Sequence, residues 1–178
     1  TRSPDTVAER IVTEPLARLR GKDVLVVFVE SYGQVALQAS DIAPGVTAVL
    51  RSGGSRLAAA GYEARSAFLD SPILGGASWL AHANLQSGLW VDSQPRYDQL
   101  LVSDRLTLSR AFGAAGWRTV SVNPANDRPW TEGAAFYRLD RVYGQRDLGY
   151  RGPAFSWPTI PDQFTLAAFQ RLELTPGH

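Results

Sequence analysis

The chain predicts an α/β fold, a mostly parallel sheet sandwiched by helices, and three observations carry that expectation. Residues 24–29, VLVVFV, form a continuous apolar run rich in β-branched side chains, the pattern of a strand buried on both faces. Helical stretches stopped by glycine are followed by short apolar runs, the alternation that accompanies parallel strands with crossover helices. At 178 residues and 44% hydrophobic content, the chain is long and apolar enough for one domain with a real core.

Taken in order, residues 5–20 place Val7, Ile11, Leu16 and Leu19 on a rough helical stripe that Pro15 interrupts, so residues 1–21 read as a lead-in helix. The strand at 24–29 stops at Glu30, Ser31 and Gly33. A helix around 47–60 is weakened by Gly53 and Gly54 and stopped by Gly61, and a short strand is expected over 62–69. Residues 75–90, GGASWLAHANLQSGLW, read as a helix entered from two glycines at Ser78 and closed on Ser87 and Gly88. Residues 103–115 predict a helix stopped by Gly116, residues 117–122 a strand, and AFYRLDRVYG, residues 135–144, a fourth strand. A closing helix starts with Pro161 in its first turn and Asp162 where a carboxylate complements the helix dipole. The Pro- and Gly-rich stretches 122–133 and 149–161 read as surface loops within a single domain.

Composition narrows the function classes. With 18 basic and 17 acidic residues interspersed, the net charge of +1 offers no electrostatic footprint for nucleic acid, and none is expected as a partner. Without cysteine there is neither a disulfide nor a thiolate metal site. No apolar run reaches the ~18 residues needed to span a bilayer, so membrane association is expected only through segments outside this chain. The chain starts at Thr1 and has no methionine, which leads us to expect a segment of a longer protein.

Three residues stand out chemically, each with a plain alternative. Glu30 follows six apolar residues, where an unpaired carboxylate is costly if buried; it is either an exposed charge at the carboxyl end of a strand, where ligands of such sheets collect, or a ligand to a cation. Ser78 is either a helix cap or a nucleophile at a helix N-terminus, where first-turn amides and the dipole favour an anion. His82, four residues on and therefore on the same helix face, is either a packed side chain or a donor to an oxygen of a group held at Ser78. In the loops, Asn123, Arg128, Trp130 and Trp157 either line a pocket or anchor packing. No metalloprotease, phosphate-loop or nucleophile-elbow spacing occurs, and the terminal His178 is no candidate.

Four segments, together spanning roughly residues 22–172, resemble the N-terminal half of the sulfatase-like branch of the alkaline phosphatase superfamily. DVLVVFVESYG resembles that family's first strand, which ends in an acidic metal ligand; Glu30 followed by Ser31 is similar to the glutamate and serine of lipoteichoic acid synthases and related membrane-anchored phosphotransferases. SPILGGASWLAHANLQSGLW resembles the sulfatase signature and puts Ser78 on its nucleophile and His82 on its arginine, with Leu80 and Ala81 in place of the proline and second serine. That departure implies an unmodified serine rather than formylglycine. LTLSRAFGAAGWRTVSVNPA resembles the following helix and strand, with Asn123 and Pro124 near where sulfatases carry lysine and histidine, and FSWPTIPDQFTLAAFQRL resembles a later aspartate-led helix.

The resemblance implies that residues 22–178 are the N-terminal portion of an alkaline-phosphatase-like catalytic domain, truncated before the half that carries the remaining metal ligands, and that the segment alone is inactive. The full-length protein is then expected to be a metal-dependent hydrolase or transferase acting on phosphate or sulfate esters. Ser78 would be the nucleophile, His82 would bind substrate, and Glu30 and Ser78 would hold a divalent ion (Mn, Mg, Ca or Zn). The substrate would be a small-molecule, lipid-headgroup or glycan ester, and the location the extracytoplasmic side of a bacterial membrane, periplasmic or at the cell surface. A different expectation is a degenerate, non-catalytic member that binds an anionic glycan or lipid headgroup.

Overall fold

The computed structural model describes residues 15–30, 33–38, 40–154 and 159–175. Most of the expected lead-in helix therefore lies outside the described residues, as do Ser31, Trp157 and His178; what is described ends in a 3-10 turn at Ala17–Leu19. Helix α1 spans Ala43–Ala59, with Pro44 in its first turn and both Gly53 and Gly54 inside it. Helix α2 is Ser78–Ser87 and stops at Gly88, whose φ of 66° is the left-handed conformation that a helix C-terminus favours in glycine. Helices α3, Gln94–Leu101, and α4, Leu108–Ala114, follow.

The sheet is small. Strand β1, Val120–Val122, pairs in parallel with β2, Arg141–Tyr143, in the register Val120 to Arg141 and Val122 to Tyr143. The crossover between them is helix α5, Thr131–Tyr137, so the connection is a short βαβ unit. A four-residue turn of helix, α6, Gln145–Leu148, leads on towards α7, Asp162–Phe169, which continues as a π-helical turn over Gln170–Leu174. Helix and parallel strand are thus combined as in an α/β fold.

Two apolar clusters hold the part from α2 onward. Leu80 and Ala83 of α2, Tyr97 and Leu100 of α3, and Phe136 and Tyr137 of α5 form one, with Val91 between them. Tyr143, Leu148, Ile160 and Ala168 form the other, against the side chains of Val120 and Val122. The π-helical turn is fastened to the sheet by Glu173, which takes a two-pronged pair from Arg118 at 2.9 and 3.0 Å and a 2.6 Å hydrogen bond from the Tyr143 hydroxyl. Two-pronged guanidinium–carboxylate pairs fix geometry as well as adding energy. Asp140 plays a similar part before β2, accepting from the Thr119 amide at 2.7 Å and its hydroxyl at 3.0 Å.

Several sequence expectations change. Residues 24–29 and 62–69 belong to neither helix nor strand, and their apolar side chains are exposed, Val29 at 67% and Leu69 at 77%. An all-apolar run needs a neighbour on each edge and a cover on each face to be buried, and the two-stranded sheet supplies neither. The helix expected from 103 begins only at Leu108, where the Thr107 side chain caps it by accepting from the Arg110 amide at 3.2 Å. The fourth strand divides: residues 131–137 are helical, Arg138 turns the chain at a left-handed φ of 50°, and only Arg141–Tyr143 pair. Pro161 precedes the closing helix as its N-cap instead of sitting inside its first turn.

Candidate functional site

The approach to α2 is unusual. Gly75, Gly76 and Ala77 are consecutive left-handed residues, with φ of 64°, 64° and 48°. Glycine takes that conformation freely, but for Ala77 it costs roughly 1–2 kcal/mol, and such strain persists only where the surroundings impose it. The triplet delivers Ser78 to the first helical position, with Ala77 at the cap. Ser78 therefore does not cap the helix. Its side chain is half-buried, and among the described residues its hydroxyl has no hydrogen-bond partner. A free hydroxyl at the positive end of a helix dipole is placed beside first-turn amides suited to an anion.

One turn further, His82 meets Glu30. The imidazole Nε2 lies 3.1 Å from the Glu30 carboxylate Oε1, and the ring stacks on Phe28 with centroids 4.0 Å apart and planes 28° from parallel. The pair is partly shielded, with side-chain exposures of 32% and 46%. Burial holds the His82 pKa below its usual value, and the Glu30 charge only partly opposes this. Near neutrality the contact is thus a close approach of a neutral imidazole to the Glu30 side chain.

The structure therefore brings two of the three candidates into contact and sets the third one turn away on the same helix face. Glu30 is not a lone exposed charge: it is engaged by His82. Phe28 was not singled out in the sequence; its signal was only its place two residues before Glu30. The left-handed Ala77 had a visible cue in the two glycines before it.

A divalent ion finds only part of a site. Among the described residues no three His, Cys, Asp or Glu side chains gather, and Glu30 with Ser78 falls short of the six or so oxygen ligands that a hard cation takes. The described residues do not complete a metal centre.

The loop residues separate by role. Trp130 is a packing anchor, its ring 5.5 Å from that of Tyr137 and lying where a side chain on Gly133 would have to go. Asn123 sits at the carboxyl end of β1, its amide donating to the Tyr143 carbonyl at 2.8 Å and its side-chain oxygen accepting from Ser121 at 3.1 Å. Arg128 is exposed. An open cleft of about 510 Å³ runs along the start of α1, lined by Ser40, Thr47 and Arg51 among others, and includes none of Glu30, Ser78 and His82. No helix among the described residues is long and apolar enough to cross a membrane.

Comparison with known proteins adds no family: no family model, no curated protein and no solved structure matches the chain.

Proposed function

We propose that the full-length protein is an alkaline-phosphatase-like hydrolase or transferase that cleaves phosphate or sulfate esters through Ser78. One observation carries the reading: Glu30, from a segment far away in sequence, reaches His82 on the face of α2 that begins with an uncommitted, strain-delivered Ser78. The resemblance of these segments to sulfatase-like enzymes supports the same assignment.

In this reading the Ser78 oxygen forms a bond to phosphorus or sulfur while the bond from that atom to the ester oxygen breaks. The hydroxyl proton passes to solvent, and the departing alkoxide takes one back. Water or an acceptor alcohol then displaces Ser78 and restores the hydroxyl. The first-turn amides and the helix dipole offset the charge that builds on the non-bridging oxygens. His82, on the same helix face and held in place by its stacking on Phe28 and its contact with Glu30, would donate an imidazole N–H to the same oxygens. A divalent ion, where bound, supplies Lewis-acid activation of the serine; its further ligands would lie outside the described residues.

The test is turnover of aryl phosphates and aryl sulfates by the full-length protein, with and without Mn²⁺. Ser78→Ala is expected to lower kcat at least a thousandfold with the fold unchanged, in line with loss of a covalent nucleophile. Wild-type turnover in that variant would rule Ser78 out. A wild-type protein that turns over neither ester yet binds anionic headgroups would establish the non-catalytic member instead.

A further inference from the structure

Trp79, the residue after Ser78, is exposed and yet tethered. Its indole Nε1 donates to Gln94 Oε1 at 3.0 Å, and Gln94 Nε2 donates in turn to Asp98 Oδ1 at 2.7 Å, one turn further along α3. Gln94 is the first residue of α3 and Trp79 the second of α2, so residues 88–93 bring the chain back to the start of α2 for this contact. Leu80 and Ala83, one and four residues on, are buried in the first apolar cluster. Trp79 stands at the edge of that packed face with 47% of its surface exposed.

Helical side chains lean towards the N-terminus of their helix, so Trp79, at the second position, flanks the ground in front of α2 where Ser78 and the first-turn amides stand. Its N–H is already given to Gln94, and what the ring offers a ligand is therefore its flat apolar face. That face carries the negative side of the ring quadrupole and is a poor neighbour for phosphate or sulfate oxygens, but a good one for the carbon half of an ester. The tether to Gln94 sets the indole before anything binds, which lowers the ordering cost of stacking on it. A flat ring covers most of the indole, whereas a short flexible chain covers less and loses its own rotor freedom when laid there.

We propose that Trp79 selects the alcohol half of the substrate: its indole face stacks against a flat ring, aromatic or sugar, and so favours ring-bearing esters over those of acyclic alcohols such as glycerol or ethanolamine. Gln94, braced by Asp98, is the positioning residue that sets the plane of the indole. This selection rests on Ser78 being the place where the ester is held, because consecutive residues put whatever sits at Ser78 beside the indole.

The test uses the full-length protein with phenyl phosphate, glucose 6-phosphate and glycerol 1-phosphate, which share one anionic half. Their binding to Ser78→Ala is measured by calorimetry and compared with binding to the same protein carrying Trp79→Leu or Trp79→Phe as well. Trp79→Leu is expected to weaken at least one ring ester about tenfold and glycerol 1-phosphate less than about twofold, and Trp79→Phe, which keeps a ring, to recover most of that loss. Gln94→Leu loosens the indole without removing it and should weaken the same ester about threefold, which keeps the test decisive should Trp79→Leu fail to fold. With Ser78 intact, the loss should fall on KM and leave kcat unchanged. A loss confined to phenyl phosphate assigns an aromatic ring, and one confined to glucose 6-phosphate a sugar ring. Equal loss for all three esters, no loss for any, or no binding of any by Ser78→Ala overturns the proposal. Wild-type turnover by Ser78→Ala would sink the enzymatic reading by itself, whereas the calorimetric comparison needs no turnover and fails or holds separately.

Discussion

The regions before and after Ser78 carry comparable amounts of apolar sequence and use it differently. After Ser78, short helices and a two-stranded sheet meet around two clusters in which Ala83, Leu148 and Ala168 have no exposed surface. Before it, residues 24–29, residues 62–69 and most of α1 leave their valines and leucines facing outward, Val49 at 72% and Leu69 at 77% exposed, and Leu74 after them is 100% exposed. The difference lies in backbone pairing, not hydrophobicity. The later region satisfies its strands locally through one βαβ unit, whereas the earlier one holds strand-like sequence whose partners must come from a long way off along the chain. The Glu30–His82 contact and the Trp117–Lys22 bond bridge the two, and the first of these is also the candidate site.

The largest expected effect tests the packed half of this contrast. Leu148→Ala removes a fully buried side chain and is expected to destabilise by about 2–5 kcal/mol. Leu74→Ala, which deletes the same atoms from a fully exposed position, should stay within about 0.5 kcal/mol. Chemical denaturation of the two variants measures both, and equal costs would break the comparison.

Next comes the fastening before β2. Asp140→Ala strips the Thr119 amide of its acceptor and leaves the Thr119 hydroxyl only the Arg138 carbonyl, at an expected cost of about 1–3 kcal/mol. The bonds from Thr119 hold the Asp140 carboxyl below the usual carboxylate range. A depressed folded-state pKa contributes stability that is complete above that range and lost as pH falls through the folded value. Acid titration of Asp140→Asn should accordingly show a shallower loss of stability on the acid side than the wild type. The smallest effect is expected at the strained turn: Ala77→Gly relieves the left-handed φ and should raise stability by about 0.5–1 kcal/mol, net of the extra chain entropy glycine loses. A fall in melting temperature would show that the turn is not strained.

Much of this was readable in the sequence where a local signal settles the structure. Gly88 and Gly116 mark chain reversals after helices, and the apolar stretch around Val120 gave a strand because its partner arrives one short crossover later. Residues 24–29 misled because an apolar run states what a segment needs, not whether the neighbours that would bury it are in place. Residues 135–144 misled differently: Phe136 and Tyr137 favour strands alone but are recruited by the α2–α3 cluster as a helix, and Arg138 breaks it. At the site, helical spacing placed Ser78 and His82 on one face. Nothing local foretold that Glu30 would meet the histidine, since a contact between distant segments is set by tertiary packing.

The most direct test of Ser78 as nucleophile is mass spectrometry of the full-length protein quenched during turnover of an aryl phosphate or sulfate. The account predicts a phosphoryl or sulfuryl adduct on the peptide containing Ser78, localised to that residue and absent from Ser78→Ala. Steady turnover with the adduct on another residue would contradict it.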